Sequence, residues 1–115
     1  MNPLNKICTY LNTLFKVTNT TVRLPLTIKG YSMTPVLYPD DIVICVSHEG
    51  KVNLSDIYVI ITDENIWVHR VQYLLNRHSE ITHIQLIPEN NEFQAFILEI
   101  SEVKDIMKVI EIIKS

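Results

Sequence analysis

Apolar residues Leu4, Ile7, Cys8, Leu11, Leu14 and Phe15 recur at the i, i+3, i+4, i+7 spacing that lines one face of a helix. Asn5, Lys6, Thr9, Asn12, Thr13 and Lys16 fall on the opposite face. Asn2 suits the capping position and Pro3 the first helical position. The pattern predicts an N-terminal amphipathic helix within residues 1–18. Its apolar stripe is expected to pack on the rest of the chain or on a second copy. Membrane contact through residues 2–16 is the less favoured use, because two lysines make a thin basic face.

Beyond residue 18 the spacing shortens to the alternation and short apolar runs of strands. Strands are predicted over Thr20–Lys29, Ile42–Val46, Ile57–Thr62, Ile66–Leu74 and Ile81–Ile87. Pro25 marks the first as an edge or irregular strand. Gly30, Pro35 and Pro39 make Gly30–Asp41 an ordered loop, and Asp63–Asn65 reads as a hairpin turn. In Ile66–Leu74 the residues Trp67, His69, Val71 and Tyr73 share one face, and Ile66, Val68, Arg70 and Gln72 the other. Val103–Ile113 fits either period, and its β-branched residues favour a strand. The reading is a mainly β chain: a twisted antiparallel β domain over residues 19–115, preceded by one short helix.

With 115 residues the chain suits a single domain with one core. Two glycines exclude collagen-like and Gly-rich linker classes. Charge is uneven: no acidic residue precedes Asp40, whereas Lys6, Lys16, Arg23 and Lys29 do. The remainder is acidic, which argues against direct nucleic-acid binding, since phosphates need a basic surface. Cys8 and Cys45 lack metal or redox spacing and read as buried thiols of a reducing compartment. His48, His78 and His83 share no ligand spacing, so neither a metal nor another cofactor is expected. No apolar run nears the roughly 20 residues of a membrane span, and the start lacks a secretory pattern. A soluble, cytoplasmic protein is expected.

The candidate chemistry lies in Gly30-Tyr31-Ser32-Met33-Thr34-Pro35. A serine becomes a nucleophile when a base takes its proton and N–H groups hold the oxyanion. A loop with a flexible residue before the serine and a rigid one after it can fix both. Beside Gly and Pro, however, a serine is ordinarily a turn residue, so the loop alone says little.

Further elements follow in order: Pro39-Asp40-Asp41-Ile42-Val43-Ile44, Ser55-Asp56-Ile57-Tyr58-Val59-Ile60, Val68-His69-Arg70-Val71, and Gln85-Leu86-Ile87-Pro88-Glu89-Asn90-Asn91-Glu92-Phe93. This series resembles the serine peptidase superfamily of LexA-type repressors, UmuD-like proteins, phage repressors and signal peptidases, over about residues 22 to 113. The resemblance implies a LexA/signal-peptidase-like β fold, Ser32 as nucleophile, a base at the place of His69, and loop residues Tyr31 and Met33 beside the oxyanion. The LexA-like branch uses a lysine as base. Histidine there is similar to the endoplasmic-reticulum-type signal peptidases, and it is mostly neutral near pH 7 without desolvation. Arg70, always protonated, is no base. The resemblance offers Glu89 or Asp56 as a third member orienting His69. Asp41 and Asp56 match two Gly-Asp positions whose glycines are replaced by Asp40 and Ser55, and turn-amide binding is the simpler role for both aspartates.

The expected function is a serine endopeptidase with a Ser32–His69 pair acting on a polypeptide. The alternative is a UmuD-like or repressor-type module that dimerises and binds a partner, its catalytic pair vestigial. A third is a regulatory domain separated from a DNA-binding half. Neither an Ala-Gly nor a Cys-Gly pair precedes Ser32, so self-cleavage of the LexA type has no visible target in the sequence.

Overall fold

The computed structural model describes residues 22–115. The helix expected within residues 1–18 lies outside them. Seven strands follow in chain order: β1 (Leu24–Thr27), β2 (Ile42–Ser47), β3 (Tyr58–Ile61), β4 (Ile66–Leu75), β5 (Ile81–Ile87), β6 (Phe96–Glu99) and β7 (Asp105–Ile113). They form one antiparallel sheet of order β1-β2-β7-β3-β4-β5-β6. The only helix among the described residues is the 3-10 turn Ile100–Glu102. The ambiguous segment near the C-terminus is a strand, in agreement with its β-branched residues. β6 was not expected, because Phe-Ile-Leu-Glu shows no alternation and no turn signal marks it off.

Every residue of β3 is buried, and alternate residues serve different cores. Tyr58 and Ile60 pack with Val71, Ile84 and Leu86 on one face. Val59 and Ile61 pack with Cys45 and Met107 on the other. This is why Tyr-Val-Ile-Ile is apolar throughout: both faces of the strand are covered. Leu26 and Thr27 of β1 line one cleft with Ile66 to His69 of β4, although three strands separate them in the sheet. The sheet therefore curls until its first strand faces its fifth.

β4 changes partner halfway along its length. Ile66 to His69 pair with Ile61 to Tyr58 of β3. Arg70 to Leu75 pair with Ile87 to Ile81 of β5. Over residues 66–69 the edge of β4 away from β3 has no strand beside it among the described residues. β1 is likewise terminal in the sheet.

Candidate active site

The loop between β1 and β2 carries Ser32. Its ends are joined where the Ile28 N–H donates to the Asp41 carbonyl (2.8 Å) and the Asp40 N–H to that of Ile28 (3.0 Å). Gly30 adopts a φ of +77°, which its missing Cβ permits without strain. Met33, Leu37 and Ile28 are driven into a core cluster with Val43 and Ile57. With Met33 turned inward and Tyr31 60% exposed, Ser32 between them lies half-buried at the loop surface.

Asn90, 58 residues further along the chain from Ser32, clamps this loop. Its backbone N–H donates to the Ser32 carbonyl at 3.0 Å. Its side-chain amide donates to the Tyr31 carbonyl at 3.1 Å and to Thr34 Oγ1 at 2.9 Å. Thr34 returns a bond from Oγ1 to the Tyr31 carbonyl at 2.9 Å. The N–H groups of Ser32 and Met33 have no backbone acceptor among the described residues. Asn90 belongs to the last of the ordered sequence elements, but its surroundings, Pro88-Glu89-Asn90-Asn91, look only like a turn. Nothing local signals an amide that reaches another loop.

Ser32 and His69 line one cleft of about 270 Å³. Leu26, Ile28 and Lys29 contribute one side with Ser32 and Met33, and Ile66, Trp67 and Val68 of β4 contribute the other with His69. His69 is only 6% exposed. Its ring meets Phe96 of β6 edge-on, with centroids 5.8 Å apart. Nδ1 is buried without a hydrogen-bond partner. Burial pushes the imidazole down to about 4, because the charged form would be desolvated. The ring is thus neutral at pH 7. No hydrogen bond joins it to Ser32 among the described residues.

The carboxylates lie elsewhere. Glu89 does not meet His69; it accepts from Arg70 Nε on the opposite face of β4. Arg70 Nη1 also donates to the carbonyls of Leu54, Ser55 and Asp56 at 3.3, 2.8 and 3.3 Å. The Asp56 carboxylate is 3.5 Å from Lys108. Asp41 is buried and accepts from the N–H groups of Tyr38 (2.8 Å) and Ser115 (3.0 Å) and from Lys114 (3.0 Å). Those donors, Tyr38 first, hold its carboxyl at about 2. Asp40 takes a φ of +77°, so one missing glycine is replaced by a residue that tolerates the left-handed region. At the other position Ser55 needs no such conformation; its N–H and Oγ donate to Asn53 Oδ1 at 2.9 and 2.8 Å in an Asx turn. No group of His, Cys, Asp and Glu able to hold a metal occurs among the described residues.

A serine loop and a strand histidine facing it across a cleft, in the order read from the sequence, coincide with a family match over residues 7–110. The chain belongs to the Peptidase S24-like family. The β architecture agrees with that membership. No curated protein matches the chain. No helix among the described residues of this S24-like chain is long and apolar enough to cross a membrane.

Proposed function

We infer that the protein is a serine peptidase in which Ser32 is the nucleophile and His69 the base, acting on an extended segment of another polypeptide. What carries this reading is the single cleft that both side chains line. Ser32 Oγ would attack the scissile carbonyl carbon while His69 takes its proton, and the N–H groups of Ser32 and Met33 would receive the oxyanion. Collapse would pass the proton from His69 to the leaving amine, and water would then hydrolyse the acyl-serine. The open edge of β4 at residues 66–69 suits a substrate strand, whose main chain it can bond. Leu26, Ile28, Ile66 and Val68 give the cleft an apolar wall that favours small aliphatic side chains near the cut.

A fluorophosphonate probe tests the reading directly. Labelling is expected on Ser32, lost in Ser32→Ala, and reduced about 10²- to 10⁴-fold in His69→Ala, the usual worth of a general base. Labelling that survives Ser32→Ala overturns the assignment. One observation favours the non-catalytic alternative, a dimerising partner-binding module: His69 Nδ1 has no acid to orient it or to stabilise its charged form. On that reading the folded protein stays unlabelled.

A further inference from the structure

His69 and Ser32 have no hydrogen bond that orients either side chain, so their mutual placement must come from the backbone on each side of the cleft. We propose that the Arg70–Glu89 ion pair is a positioning latch that ties the strand of the base to the loop of the nucleophile. The proposal rests on the reading of Ser32 and His69 as the reacting pair.

The geometry is specific. Arg70 is the residue after His69 and the first of β4 to pair with β5. Its guanidinium gathers three separate pieces of chain: β4, the carbonyls of Leu54, Ser55 and Asp56, and the Glu89 carboxylate. A fixed planar fork suits that junction, and the point charge of a lysine would not. Glu89 in turn precedes Asn90, whose three donors hold Ser32, Tyr31 and Thr34. The path therefore runs from base to nucleophile: His69, Arg70, Glu89, Asn90, Ser32. The acid that the sequence offered as a partner for the histidine is used on the other face of the strand, to hold the loop. Both ions are part-buried, with side chains 22% and 28% exposed, so solvent screens the pair only in part.

The test is probe acylation resolved into its limiting rate and its affinity, with Glu89→Ala, Glu89→Gln and Arg70→Lys. In Glu89→Ala the limiting rate is expected to fall roughly tenfold to a hundredfold, the cost of a misplaced nucleophile, with affinity unchanged. Glu89→Gln keeps an oxygen to accept from Arg70 Nε and should restore most of the rate. Its pH profile should keep the acid limb of the wild type. A displaced limb in Glu89→Gln would mean that the carboxylate acts on His69 itself, and would overturn the latch. So would an unchanged limiting rate in Glu89→Ala.

Amide exchange of the Asn90 backbone N–H and side-chain NH₂, followed by NMR, separates the two readings. If the wild type is never acylated, the peptidase reading fails, yet faster Asn90 exchange in Glu89→Ala still supports the latch. Exchange unchanged in Glu89→Ala overturns it. Should Glu89→Ala fail to fold, Glu89→Gln and Arg70→Lys carry the same comparison: faster Asn90 exchange in Arg70→Lys than in Glu89→Gln supports the latch, and equal, wild-type-like exchange overturns it.

Discussion

At His69, burial and chemistry pull in opposite directions. The interior keeps the ring neutral, which readies it as a proton acceptor but weakens its hold on the proton. Its folded value, about 4, lies below the 6.5 of an unperturbed histidine. A lowered value means that the unfolded chain binds the proton first. The contribution to stability is therefore complete above about pH 6.5 and lost as pH falls toward 4. At about 1.4 kcal/mol per unit, the loss is on the order of 3 kcal/mol. Urea unfolding at pH 7.5 and 4.5 should show a pH-dependent loss that is smaller in His69→Gln by that amount. A His69 base should likewise sustain acylation down to about pH 4 to 5, whereas a lysine base, even desolvated, would fail well above that range. Asp40 gives a second prediction at this scale. Its φ of +77° is strained for any residue with a Cβ, and a Cβ at αL costs about 1 kcal/mol. Asp40→Gly should therefore raise the thermal midpoint, less the entropy that glycine adds to the unfolded chain.

Among the elements, the strands that declared themselves in the sequence are those with β-branched runs bounded by turn residues: β2, β3, β5 and most of β4. What stayed hidden was which neighbour each strand takes. Alternation along Ile66–Leu75 places His69 and Arg70 on opposite faces, as the structure has them, but carries no sign that β4 exchanges β3 for β5 between them. The partner of Glu89 was hidden for the same reason, since Arg70 lies 19 positions away. The serine loop was legible because its chemistry is local; its clamp by Asn90 was not. β3, with cores on both faces, should be the least tolerant element. Ile60→Ala removes a side chain with no exposure and should cost about 2–5 kcal/mol, read as a shift in the urea midpoint with unchanged slope. Ile97 of β6, 53% exposed, should tolerate alanine with a change within about 0.5 kcal/mol.

For the molecule as a whole, the curl of the sheet makes the site. A flat sheet would leave β1 and β4 on the same plane, separated by three strands; the curl sets them face to face, with Ser32 just beyond one and His69 within the other. The twist that antiparallel strands acquire from their own sterics is thus what brings together residues 37 positions apart. The β-rich pattern gave the class of the fold, but closure depends on Leu24, Leu26 and Val68 packing against one shared cluster, which no local window contains.

β7, the last of the described strands in chain order, lies between β2 and β3 near the middle of the sheet. The chain therefore cannot assemble its sheet in the order of its synthesis; β2 and β3 must wait, without a common neighbour, until residues 105–113 emerge. Folding should be slow for the size of the domain, in the millisecond-to-second range of non-local β topologies. A version ending at Lys104 should show neither strand circular dichroism nor dispersed amide resonances. Until β7 arrives, exposed β2 and β3 edges would be the natural targets of a chaperone.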